Sequence, residues 1–176
     1  ALNTSDTDGI SIPEKLLNTA MMGVARCNLR MGNMRQGIRL ANEMNDSLLY
    51  EECGDILETQ KQYSEAATMF IKAKQYDRAG SMYTRYLIKA DSSRIDEAAD
   101  VMLKCKSDQL NSAFAKLCLM AGRYDIALNA YQRANDIDKV IELKLRHLDD
   151  VQGAFDLVRF TSSSEGAQIV AEYCLE

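Results

Sequence analysis

Few residues in this chain are placed to do chemistry. Its one histidine, His147, stands in "LRHLDD". An imidazole can serve as a general base, but at the end of a helical segment it reads as a cation favoured by the helix dipole. The stretch "SSSEG" (162–166) has the look of a phosphate site at a helix N-terminus. It lacks the glycine spacing and lysine of a phosphate loop, so simple helix capping accounts for it. Phosphorylation of Ser162, Ser163 or Ser164 would be electrostatically tolerated at a helix start. The carboxylates Glu51–Glu52 and Asp149–Asp150 are adjacent in sequence. Adjacent residues on a helix do not face each other, which makes them poor acid/base pairs; Asp149 or Asp150 reads instead as a cap for the next helix. Cys27, Cys53, Cys105, Cys118 and Cys174 are odd in number, widely spaced and without CxxC. They read as reduced thiols in a cytosolic setting and as small buried hydrophobes. One histidine and no Cys/His cluster give no zinc set. No convergent catalytic set, cofactor motif or metal-ligand cluster emerges, so the expectation is a non-enzymatic protein with neither cofactor nor metal.

The charge pattern says more. From Lys15 to Asn42 there is no acidic residue, and the cations include Arg26, Arg30, Arg35 and Arg39. Arg26 and Arg30 share a helical face, as do Arg35 and Arg39. Glu43, Asp46, Glu51, Glu52, Asp55 and Glu58 then follow with no basic residue among them. Two readings stand: neighbouring layers that neutralise each other or are simply solvated, or a basic patch for an acidic partner helix or an anionic lipid surface. A net charge of −5 and a pI near 5.0 argue against a general nucleic-acid binder. No apolar run approaches the length that spans a bilayer, so no direct membrane insertion is expected, and there is no signal-peptide pattern. The chain opens on Ala1 and stops soon after a helix-like segment. It is expected to be a piece of a longer chain, exposing apolar surface at Met21, Met22, Met31 and Met34 and at residues 164–176. Concentration-dependent association follows, and a clean monomer at high concentration would refute it.

The elements that carry these residues are helical. One proline, nine glycines and no tryptophan leave little to break helices. Residues 1–10 are polar and aperiodic and read as disordered; residues 11–176 read as a single repeat array. Ser11 and Glu14 form a capping box with Pro13 in the first turn, and Ser162 and Glu165 form another before the last helix. Between them the chain repeats itself. Tyr63, Ala66, Phe70 and Ala73 match Tyr124, Ala127, Tyr131 and Ala134, the latter preceded by Gly122. The phase recurs at Tyr76, Ala79 and Tyr83, thirteen residues after Tyr63, and in degenerate form from Gly32 through Met34, Gly37 and Ala41. Thirteen residues hold three helical turns and a short link. The expected helices are 12–30, 33–45, 48–60, 63–74, 76–90, 93–106, 108–122, 124–134, 137–147, 150–159 and 164–175. Short helices with short links lie antiparallel and stack into an all-α solenoid of about eleven helices. Alanine and glycine on the stripe then permit close approach at the crossings, with Met69 and Met82 in the core beside the stripe aromatics.

The pattern Gly-x-Tyr-x-x-Ala-x-x-x-Tyr-x-x-Ala at 122–134 resembles the second half of a tetratricopeptide repeat; residues 62–73 match it without the glycine. The regular 34-residue period, the tryptophan and the closing proline of that family are absent, which favours a divergent long solenoid. "YEECGDILETQKQYSEAATMFIKAKQYDRAGSMY" (50–83) and the run from "HLDD" to "VRFTSSSEGAQIVAEYC" resemble the propeller-solenoid subunits of intraflagellar transport complex A. That resemblance implies a scaffold in the cytoplasm and cilium or flagellum, with its basal body. It would serve retrograde transport and membrane-cargo import. The implied partners are other subunits of that complex and, through it, a tubby-like cargo adaptor. Vesicle-coat solenoids share the architecture and remain an alternative. A peptide-binding repeat adaptor is another, but it should line a groove with Lys, Arg and Asn at matching positions of successive first helices. No such periodic set is evident.

Overall fold

The computed structural model describes residues 13–175; residues 1–10 and Ser11 lie outside that range. Eleven helical rods follow one another, with no strand among the described residues. They are α1 (Glu14–Arg30), α2 (Met34–Met44), α3 (Ser47–Thr59), α4 (Tyr63–Lys72), α5 (76–90), α6 (Ile95–Met102), α7 (Asp108–Met120), α8 (Tyr124–Arg133), α9 (Ile137–Arg146), α10 (Val151–Thr161) and α11 (Ser164–Leu175). Pro13 sits at the N-cap of α1 rather than within its first turn, and its carbonyl accepts from the N–H groups of Leu16 and Leu17.

The links have a common construction. Gly32, Lys61, Lys74, Gly122 and Asn135 all take a positive φ. The residue after each donates its N–H back across the last turn: Asn33 to Asn28 O, Gln62 to Leu57 O, Gln75 to Phe70 O, Arg123 to Cys118 O and Asp136 to Tyr131 O, all at 2.8–3.0 Å. This is the left-handed closure that satisfies carbonyls at a helix end and reverses the chain. Two such closures follow α3 and α4, and two more follow α7 and α8, which sets the thirteen-residue recurrence. At the C-terminal end Ser162 also turns left-handed, closing α10. It therefore cannot cap α11; Ser163 does so, its Oγ accepting from Gly166 N at 2.9 Å. The capping box expected at Ser162 and Glu165 therefore does not form: the cap moves to Ser163, and Gly166 stands where the box would need Glu. Asp150, not Asp149, caps α10 through Gly153 N.

The rods pack as antiparallel hairpins, α1 on α2, α3 on α4 and α7 on α8, while α1 also lies on α3 and α9 on α11. One continuous core runs from Ala25 and Leu29 in α1 to Leu143 in α9, and a smaller cluster of Ile141, Leu145, Ala154 and Val170 closes the far end. This is an α-solenoid. Ala66, Phe70, Ala79 and Ala127 are fully buried, and Ala73, Tyr83 and Tyr131 nearly so. Tyr63, Tyr76, Tyr124 and Ala134 are half-buried.

Gly32 and Gly122 have a different part from the one expected. Each is exposed, and a Cβ there would meet nothing within 4 Å. They supply a left-handed φ and bring no helices together. The glycines that do so lie inside helices. A Cβ on Gly54 would stand 2.5 Å from the Phe70 ring, one on Gly80 2.8 Å from Met102 Sδ, and one on Gly166 2.5 Å from Ile141 Cδ1. In α5 the helix widens into a π turn at Tyr83–Leu87, where Thr84 Oγ1 donates to Gly80 O at 3.0 Å.

Gly54→Ala, Ala66→Leu and Ala127→Leu should each overpack a crossing and lower stability by roughly 1–3 kcal/mol. Wild-type melting curves for all three would refute this account of the crossings.

Candidate interaction surface

The expected basic patch divides in two. Arg26 reaches from α1 to α3 and pairs with Glu52 at 2.5 Å. Arg39 pairs with Glu43 one turn along α2 at 3.2 Å. Arg30 and Arg35 are exposed, and neither has an ion-pair partner among the described residues.

The acidic run on α3 is answered from the next layer by Arg78, a residue that carries no distinguishing mark in the sequence. Its guanidinium pairs with Asp55, with Glu58 at 3.0 Å and with Glu51 at 3.8 Å. It also lies 4.0 Å from the centre of the Phe70 ring. Partial burial works against its charge, but hydrogen bonds and attraction from Asp55 and Glu58 outweigh that and hold its pKa up. Charged and polar joints of this kind recur along the stack. Gln60 donates to Leu29 O at 2.8 Å, Arg94 to Ser64 Oγ at 3.2 Å, Arg133 to Cys105 O at 2.9 Å and Ser163 to Asp138 at 2.7 Å. Arg123 pairs with Asp96, and hydrogen bonding from its guanidinium holds that carboxyl below its usual range. Partners in these five joints lie 25 to 31 residues apart. That is the length of one hairpin, a period the side-chain pattern alone left blurred.

Two repeat-equivalent tyrosines carry equivalent stacks. Tyr63 stacks on Tyr86 with ring centres 3.7 Å apart, and Tyr124 on His147 at 4.6 Å. The stacking rings stand at the same sequence offset from each tyrosine. His147 lies just beyond α9, its N–H bonded to Leu143 O at 3.1 Å, so the lone histidine packs on the repeat. No group of three or more His, Cys, Asp or Glu able to hold a metal occurs among the described residues, and no helix among them is long and apolar enough to cross a membrane.

The cysteines divide as well. Cys53, Cys105 and Cys118 are buried, whereas Cys27 and Cys174 are exposed on outward helix faces, against the expectation of burial for all five. Burial, chiefly, pushes Cys53 up to about 11 and Cys105 and Cys118 up to about 12. A thiol is reactive as thiolate. A disulfide-exchange reagent should therefore modify Cys27 and Cys174 quickly in the folded chain and the other three only on unfolding; fast modification of all five would refute the assignment. Arg78→Met should leave three facing carboxylates unpaired. The group is a third to a half exposed, so the loss should be about 1 kcal/mol and fade as salt rises; a salt-independent loss in thermal melts would mean that lost packing on Phe70 dominates.

Comparison with known proteins found no matching family model. The chain is 35% identical over 156 residues to WD repeat-containing protein 19 of Homo sapiens and of Mus musculus. It is 31% identical over 152 residues to WD repeat-containing protein dyf-2 of Caenorhabditis elegans. The matches cover 86–89% of this chain but only 10–11% of those proteins, so the chain spans about a tenth of the relatives it resembles. WD repeats fold as four-stranded propeller blades. With no strand among the described residues, the matched tenth is not a blade but a helical stretch of proteins named for their blades. An all-α solenoid sharing about a third of its residues with a short part of these proteins, in mammals and in a nematode, is a relative of WD repeat-containing protein 19.

Proposed function

We propose that the chain is a non-enzymatic scaffold segment of an intraflagellar transport complex A subunit. The observation that carries this reading is the match to WD repeat-containing protein 19 across 89% of the chain, by a solenoid whose layers are joined in part by Arg26, Arg78 and Arg123. In this reading the protein works in the cytoplasm and in the cilium or flagellum, with its basal body. It supports retrograde transport and the import of membrane cargo. Its partners are other complex A subunits and, through the assembled complex, a tubby-like cargo adaptor. It has no catalytic centre, cofactor or metal, and neither nucleic acid nor membrane insertion enters its work. In this reading the stripe positions from Tyr63 to Ala134, Gly122 excepted, hold the repeats together. Among the four arginines first singled out, Arg30 and Arg35 are the pair left free to meet an acidic partner.

Affinity capture from a ciliated-cell extract, read by mass spectrometry, tests the proposal. Complex A subunits should be recovered, and Arg30→Glu with Arg35→Glu should weaken their recovery. Recovery of vesicle-coat components instead would transfer the chain to the coat scaffolds. Recovery of neither would reduce this stretch to a spacer.

A further inference from the structure

The two first helices α5 and α7 lie against each other and leave between them an open groove of about 510 Å³. Its two ends differ. At one end Asp77, the only carboxylate lining the groove, is occupied: its Oδ1 accepts from Lys106 N at 2.8 Å and Ser107 N at 3.3 Å, which ties the start of α5 to the start of α7. Toward the other end stand Arg85 and Lys89, one turn apart on α5, and Lys116 on α7. All three are exposed, and none has an ion-pair partner among the described residues. The side chains of Leu110 and Leu117, packed on the core from α7, give the groove apolar walls.

We infer that this groove is a docking site for an acidic, leucine-bearing segment of a partner protein. Its carboxylates would meet Arg85, Lys89 and Lys116 while an apolar side chain lies against Leu110 and Leu117. The warrant is charge complementarity. In a chain of net charge −5, where Arg26, Arg78, Arg94 and Arg123 are each held by carboxylates of the stack, three unheld cations converge on one concavity. Cations in the last turns of α5 also complement its dipole, but that does not place a third on the facing helix. This set has no period along the chain, because a single pair of helices carries it. Like charges held together without partners repel, and an anionic segment relieves that repulsion. The inference goes beyond the scaffold reading and does not depend on which assembly the chain joins.

Fluorescence anisotropy with a short labelled peptide of repeating Glu-Glu-Leu, and Gln-Gln-Leu as the neutral control, tests it on the full chain. The acidic peptide should bind in a salt-sensitive way and the neutral one should not. R85E/K89E/K116E should weaken binding by roughly tenfold or more, with an unchanged helical circular-dichroism spectrum. R30E/R35E should leave it intact. No binding of the acidic peptide, or equal losses in both variants, would overturn the proposal. So would sedimentation with phosphatidylserine vesicles that depends on these three residues while the peptide fails to bind, since the patch would then face a membrane.

Discussion

The left-handed residue that ends most of the short helices is the constraint from which the rest follows. A three-residue link with its N–H groups bonded back to the preceding turn leaves no slack. The next helix must start at once, reversed, against the one just finished. Rods of ten to thirteen residues, such as α3, α4, α7 and α8, are too short to bury themselves alone and cannot enclose a common centre. Stacking is the arrangement left, and stacking demands small residues where backbones cross. Three of these closures use Lys61, Lys74 and Asn135 rather than glycine. A left-handed L-residue costs about 1–2 kcal/mol, so the surrounding packing over-determines those turns.

Much of the fold was legible because two signals agreed. The 3.6-residue stripe marked where helices run, and its thirteen-residue recurrence marked where they restart. The misses are equally physical. A glycine in sequence does not say whether the fold needs its φ or its missing Cβ. Gly122, just past a helix, supplies φ; Gly54, inside one, makes room for Phe70. Position relative to the helix end separates the two, since an interior glycine costs helix stability and needs a packing reason. Ser162 and Ser163 are chemically alike, and only the left-handed closure of α10 decides which is free to cap.

The surface was less legible, because charge is a property of layers and not of segments. The arginine-rich opening and the acidic run after it look like two patches along the chain. In the stack the acidic run is shared by Arg26 from the layer before and Arg78 from the layer after. Neither partner can be found by scanning a helical face, since one lies 26 residues away from its carboxylate and the other 20. Burial of thiols follows the same logic: Cys53 and Cys118 face the hairpin interior, while Cys27 falls on the outward face of α1.

These joints bear on function through what they leave over. A cation held between two layers is a structural part, because removing it unpairs carboxylates on its neighbour; it cannot also be offered freely to a partner. The layers of this solenoid consume arginine in that way from α1 to the α7–α8 turn. These joints hold three arginines against five carboxylates, so what remains outside is less acidic than the total of −5. A cation that no carboxylate answers keeps its field, which reaches a passing anionic segment within a Debye length. Arg30 with Arg35 on the first hairpin, and Arg85 with Lys89 and Lys116 in the groove between α5 and α7, are leftovers of this kind. A scaffold needs its repeats to be interchangeable in packing and distinct in surface, and unspent charge is how one layer of a uniform stack becomes different from the next.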